Sequence, residues 1–198
     1  MKIRMYFPVI VLVLALILSP GLSYGENKVD AKEKESMLEF TMKDIDGKDV
    51  ELSKYKGQVL LVVNVASKCG LTPQYEQLVE IQKKYTKQGF QVLGFPANNF
   101  MKQEPGTNSE IKLFCKEEYE VNFDMFSKIS VKGDDIHPLY KFLTNEDTQG
   151  DKGGEIRWNF DKFLVGRDGK VIGRFHPKTT PDAEDVVTAV EAAIKEKA

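Results

Sequence analysis

The stretch Val59-Leu-Leu-Val-Val-Asn-Val-Ala-Ser-Lys-Cys-Gly-Leu-Thr-Pro-Gln-Tyr75 decides the fold. Its first seven residues, Val59 to Val65, are aliphatic apart from Asn64 and read as a strand buried on both faces. A short polar turn follows, then a helix. Thr72 fits its N-cap, Pro73 its first position, and Leu78, Ile81 and Tyr85 carry an apolar stripe onward. Cys69 therefore stands between the carboxyl end of a central strand and a helix N-terminus, where open α/β sheets build their sites. Free amide N–H groups and the positive end of the helix dipole stabilise a thiolate at such a position, and Lys68 adds a cation beside it. A structural cysteine that merely begins a helix fits the same stretch.

Working outward, Leu38 to Met42 and Val50 to Leu52 read as a hairpin around the turn Asp44-Ile-Asp-Gly47. The helix after Cys69 runs from Pro73 to about Gln88 and closes at Gly89. Phe90 to Phe95 is a second buried strand, so strand, helix and strand form a right-handed βαβ unit with a parallel pair. The long loop Pro96 to Gly106 then lies at the same sheet edge as Cys69. Thr107 and Glu110 make a capping box for a helix to about Tyr119, with Ile111, Phe114 and Cys115 on one face. Phe126 to Val131 reads as a short strand or turn, His137-Pro138 starts a helix through Leu143, and Asp147 to Gly154 is a polar loop. Ile156 to Val165 leads into a strand, Arg167-Asp-Gly-Lys170 turns it into Val171 to Phe175, and Pro181 to Lys195 is a final helix. Val186, Val187, Val190 and Ile194 give that helix its inward face. The layout predicts a thioredoxin-like α/β fold, a mixed central sheet flanked by helices.

At 198 residues, 41% apolar and 29% charged, the chain suits one domain with a proper core. Residues 1–25 stand apart. Lys2 and Arg4 precede an apolar run from Tyr6 to Leu18, then Pro20, Gly21 and a small-residue site near Ser23-Tyr-Gly25. That is the layout of a secretory signal peptide, and the run falls short of the roughly 20 residues that span a bilayer. An uncleaved anchor is the alternative, and no cysteine near the cleavage site suggests a lipid. The expectation is an exported protein, periplasmic or secreted, with no stable membrane insertion once the leader is gone. Residues 26–37 are mostly charged and read as a flexible lead-in to a domain over 38–198.

Losing the leader removes Lys2 and Arg4 and no acid, which leaves 26 basic against 30 acidic residues and moves the formal charge from −2 to −4. Without a basic stripe, nucleic acid is not expected as a partner. The two cysteines, Cys69 and Cys115, suit either a structural disulfide or a redox pair. His137 and His176 are too few and too isolated for a metal site, and no bound cofactor is expected.

Cys69-Gly-Leu-Thr72 carries threonine where a two-cysteine redox motif would place its second thiol, which excludes dithiol exchange within one motif. A lone thiolate can still attack a peroxide oxygen and become a sulfenic acid. That chemistry needs neutral donors around the sulfur. Trp158-Asn159 offers an indole N–H and a carboxamide side by side, although a core tryptophan is the alternative. Asn98 and Asn99 are further candidates, or simply turn formers.

Four segments resemble glutathione peroxidases: Asn64-Val-Ala-Ser-Lys-Cys-Gly-Leu-Thr72, Leu93-Gly-Phe-Pro-Ala-Asn-Asn-Phe100, Gln103-Glu-Pro-Gly106 and Trp158-Asn-Phe-Asp-Lys-Phe-Leu164. Phe123-Asp-Met-Phe-Ser-Lys-Ile129 is similar to the phospholipid-hydroperoxide branch. The resemblance runs from about residue 38 to 196. It implies that Cys69 is the peroxidatic residue, replacing the selenocysteine of some relatives, with Trp158 and Asn159 as partners. The family's remaining partner is a glutamine; here Asn99 stands there, one methylene shorter.

In thioredoxin-dependent members a resolving cysteine sits on the helix after the Gln-Glu-Pro-Gly loop. Cys115 lies one residue before that position, about 100° around the helix. It fits a resolving role only with local unwinding, and it fits equally a buried thiol beside Ile111 and Phe114. The short segment from His137 to Trp158 resembles the monomeric branch, whose open site accepts bulky hydroperoxides. Lys68, Lys102 and Arg157 are scattered cations rather than a fixed glutathione cluster.

The resemblance thus implies a monomeric enzyme that reduces hydrogen peroxide and organic or lipid hydroperoxides. Glutathione or a thioredoxin-like protein is the reducing co-substrate. A non-catalytic peroxide sensor or redox binding module on the same fold is the alternative. A thiol- or metal-delivery protein is opposed by the missing second cysteine.

Overall fold

The computed structural model describes Met1 and residues 34–196; the predicted leader lies outside the described residues. The folded body already includes Ser36 and Met37. Ser36 caps a 3₁₀ turn over Met37–Glu39 with a full capping box, Met37 is fully buried, and its N–H bonds Gly169 O at 3.0 Å. That turn displaces the first strand. β1 spans Thr41–Lys43, starting three residues later than the hydrophobic alternation suggests, and pairs antiparallel with β2, Asp49–Glu51, which lies one residue earlier than expected.

The central sheet has five strands in the order β5-β4-β3-β6-β7. β3 (Val59–Val65) lies in the middle, parallel to β4 (Phe90–Pro96) and antiparallel to β6 (Lys162–Val165). β5 (Asp124–Met125) extends the parallel side and β7 (Val171–Phe175) the antiparallel side. The short strand or turn expected over Phe126 to Val131 is thus a strand that begins two residues earlier and is only two residues long. Phe126 itself makes an isolated bridge to Asp44.

All seven residues of β3 are buried, and they divide by parity. Val59, Leu61, Val63 and Val65 face a core built with α1 (Gln74–Tyr85), α2 (Asn108–Tyr119) and α5 (Glu184–Lys195). Leu60 and Val62 face a second core with the β1–β2 region and α3 (Pro138–Thr144). The strand is covered on both faces because successive side chains alternate across a sheet. The polar stretch after α3 holds a short capped helix, α4 (Glu146–Gln149), and a 3₁₀ turn, Gly150–Lys152. Among the described residues no helix is long and apolar enough to cross a membrane.

This topology sets the site. β4 runs parallel to β3, so the loop after it emerges at the same edge as Cys69. β6 runs antiparallel, so the segment before it, Trp158 to Asp161, arrives at that edge as well. Three chain segments remote in sequence converge there.

Candidate active site

The cysteine turn is held by Thr72, though not in the expected way. The regular helix starts at Gln74 with Pro73 at the cap, and Thr72 lies buried inside the preceding turn. Its Oγ1 accepts the Cys69 N–H at 3.0 Å and donates to Ala66 O at 2.8 Å, while its own N–H bonds Cys69 O at 3.0 Å. The threonine ties both ends of the turn together, a use of a short hydroxyl that competes with capping. Leu71 N–H lies 3.4 Å from Cys69 Sγ, and Cys69 is buried, 8% exposed, with that backbone donor beside its sulfur.

The loop from β4 is stitched to this turn. Lys68 N–H donates to Gln103 O at 3.0 Å, and Ser67 Oγ donates to Glu104 Oε2 at 3.0 Å. Asn98 Oδ1 accepts Glu104 N–H at 2.9 Å, and Lys128 Nζ reaches the carbonyls of Glu104 and Gly106 at 3.1 and 2.5 Å. Burial raises the Glu104 pKa, countered by the Ser67 hydrogen bonds and by Lys128 and Lys68. Beside these residues runs a groove of about 350 Å³ lined by Ser67, Lys68, Glu104, Gly106, Ile111 and Phe114, among others.

The third segment is anchored from two sides. Asn64, the one polar residue of β3, donates from Nδ2 to Trp158 O at 3.0 Å, and its backbone carbonyl accepts Phe160 N–H at 2.6 Å. Asn159 is fully buried, and its Nδ2 donates to Gln103 Oε1 at 2.8 Å. Half-buried Trp158 packs on Phe100, with ring centroids 5.2 Å apart.

Asp161 closes the turn from below. It accepts Arg157 N–H and Nε at 3.0 Å, Arg157 Nη2 at 2.6 Å and Arg174 Nη2 at 2.9 Å. Burial alone would raise its pKa; the two guanidinium groups outweigh that and hold it below the usual carboxylate range. Arg157 is therefore engaged in this pair. Lys162, fully buried, donates to Phe160 O at 2.7 Å and Pro177 O at 3.3 Å, and burial pushes its pKa down to about 7.

Cys69, Trp158 and Asn159 thus come from segments joined directly through Asn64, Gln103 and Lys68. Asn99 goes elsewhere. Its Nδ2 donates to Ser130 Oγ at 2.8 Å and Lys132 O at 2.9 Å, and its Oδ1 accepts Val131 N–H at 2.9 Å. The carboxamide that adjoins Asn159 belongs to Gln103. Neither Gln103 nor Asn64 was singled out from sequence, although a lone asparagine inside an apolar strand is a readable signal.

Cys115 lies on the inward face of α2, 2% exposed, in the same core as Cys69. Burial pushes its thiol up to about 11, with the neighbouring Tyr75 hydroxyl pulling the other way. Both cysteines are free thiols. Among the described residues no group of three or more His, Cys, Asp or Glu side chains is placed to hold a metal.

A thioredoxin-like sheet with a single cysteine on the strand-to-helix turn, ringed by amide-bearing segments, defines a thiol redox protein. Solved structures share the fold. A thioredoxin-family thiol:disulfide interchange protein from Chlorobium tepidum matches with a TM-score of 0.56 at 19% identity, over 78% of this chain and 92% of that one. The crystal structure of Trgpx in apo form matches with a TM-score of 0.66 at 42% identity, over 82% and 98% of the two chains.

The glutathione peroxidase family profile matches residues 37–144. The chain is 49% identical to the thioredoxin/glutathione peroxidase BtuE of Escherichia coli K12, over 81% of this chain and 98% of that protein. It is also 49% identical to the chloroplastic phospholipid hydroperoxide glutathione peroxidase 1 of Arabidopsis thaliana, over 76% and 64%. The chain belongs to the glutathione peroxidase family, an oxidoreductase that reduces peroxides with thiols.

Proposed function

We propose that Cys69 carries out the peroxide reduction. Its thiolate attacks one peroxide oxygen, the S–O bond forms as the O–O bond breaks, and the departing oxygen takes up a proton and leaves as water or an alcohol. Trp158 and Asn159 supply neutral N–H donors to the oxygen on which charge develops, where fixed donors act most strongly. The observation that carries this reading is the hydrogen-bonded convergence of the cysteine turn, the 97–106 loop and the 158–160 segment at one sheet edge. Asn99 serves as a strut that holds the loop to residues 130–132.

The sulfenic acid is then consumed by a thiol, which forms a disulfide and releases water. Two routes fit the chain. Glutathione attacks directly and a second glutathione releases the mixed disulfide as oxidised glutathione, or Cys115 forms the disulfide after α2 opens locally and a thioredoxin-like dithiol reduces it. Substrates include hydrogen peroxide and larger organic or lipid hydroperoxides, which an open sheet edge admits. The enzyme works as a monomer and is exported, as the basic-then-apolar layout of residues 1–25 supports. Family membership favours turnover over a sensor that oxidises once and stops.

The test is steady-state peroxide consumption with glutathione and with thioredoxin side by side. Cys69→Ser should abolish both activities, and Trp158→Phe and Asn159→Ala should slow both. Cys115→Ser should remove the thioredoxin activity alone. An unchanged thioredoxin rate in that variant overturns the resolving role.

A further inference from the structure

We propose that Gln103 is a positioning residue for peroxide reduction, which sets the orientation of the Asn159 carboxamide. The inference rests on the reading of Cys69 and Asn159 given above. A carboxamide presents an N–H donor on one side and a carbonyl acceptor on the other, and the two exchange on a half-turn. Only the donor side helps a thiolate or a departing oxygen; the acceptor side repels both. Something must fix the choice. Asn159 is fully buried, out of reach of bulk water. Among the described residues its carboxamide has one hydrogen-bond partner, Gln103 Oε1 at 2.8 Å, and its own Oδ1 has none. An oxygen acceptor at that distance requires Asn159 Nδ2 to face it, which leaves the second proton on that nitrogen for the site.

Gln103 is itself held firmly. Its N–H bonds Phe100 O at 3.1 Å, and its carbonyl accepts the N–H of Lys68, the residue before Cys69, at 3.0 Å. Met101 and Lys102 just before it take left-handed backbone angles, φ 49° and 54°, unusual for side-chain-bearing residues in succession. One residue thus joins the Cys69 turn through its backbone and Asn159 through its side chain. The carboxamide of Asn99 is meanwhile committed to residues 130–132.

The experiment is single-turnover oxidation of the reduced protein by hydrogen peroxide, with the sulfenic acid trapped by dimedone and quantified by mass spectrometry. Gln103→Leu should slow oxidation about 10- to 100-fold, the range expected when a reacting group is misplaced. Gln103→Glu keeps the acceptor and should recover most of that loss. The double variant Gln103→Leu/Asn159→Ala should be no slower than the slower single variant, because both changes remove one function. Reaction of preformed sulfenic acid with added thiol should slow far less than oxidation in Gln103→Leu, whereas a general loosening of the fold would slow both alike. Should the leucine variant not fold, Gln103→Met has similar length and no strong acceptor.

The proposal is overturned by wild-type oxidation in Gln103→Leu, by a Gln103→Glu rate as low as that of leucine, by losses that multiply in the double variant, or by equal slowing of both steps. Wild-type oxidation in Asn159→Ala also overturns it. Peroxide consumption that persists in Cys69→Ser instead overturns the underlying reading, so the two failures are distinct.

Discussion

Lys162 sits at the foot of the Trp158–Asn159 turn, shielded from water, with two backbone carbonyls as hydrogen-bond acceptors. Its ammonium drops from the ordinary lysine value of 10.5 to about 7, with burial the dominant cause. Between those values the unfolded chain holds a proton that the folded chain lacks, so this group's contribution to stability grows as pH rises from about 7 toward 10. Urea midpoints of the wild type and Lys162→Met should therefore shift in favour of the wild type between pH 7 and 9.5; a constant difference would contradict this. Cys115 has the opposite displacement. With its pKa near 11, about 0.1% of that thiol is ionised at pH 8. Iodoacetamide at pH 8 should modify Cys115 only after denaturation, as peptide mapping would show; rapid labelling in the native protein would contradict its burial. The turn that carries Cys69 and the Trp158-Asn159 pair is read locally, as a turn before a helix and two potential donors in succession. What Asn64 and Gln103 bond is not read locally, because their partners lie 94 and 56 positions away, even though a lone asparagine in an apolar strand marks Asn64.

At the level of elements, legibility followed the range of the deciding contact. The α2 start at Thr107 is a capping box closed within three residues, and the structure has it where the sequence puts it. The α1 start differs because Thr72 bonds backward to Ala66 instead of capping forward. β5 lies earlier than the Phe126 to Val131 reading because two residues carry no period, and it is set by packing on β4. Gly94 shows how close that packing is: a Cβ there would lie 2.4 Å from Met125 Sδ and 3.2 Å from the Phe123 ring. Gly94→Ala should destabilise the protein by about 1–3 kcal/mol, the usual cost of overpacking, measured as a lower urea midpoint at constant slope. An unchanged midpoint would show that the β4–β5 edge yields easily.

For the whole molecule, the alternation of strands and helices was enough to give a mixed sheet, and the βαβ spacing placed β3 beside β4. What spacing does not carry is the insertion of β6 on the other flank of β3, antiparallel, between β3 and β7. That arrangement delivers Trp158 and Asn159 to the cysteine edge, and it depends on pairing across about a hundred residues. The resemblance to a family supplied that placement where periodicity had nothing to offer. The central claim is that one sulfur, Cys69, receives the peroxide oxygen. Its most direct test is mass spectrometry of the reduced protein after one equivalent of hydrogen peroxide, with dimedone present and reductant absent. The account predicts a single adduct on Cys69, absent from Cys69→Ser; an adduct confined to Cys115, or undiminished peroxide loss in Cys69→Ser, would contradict it.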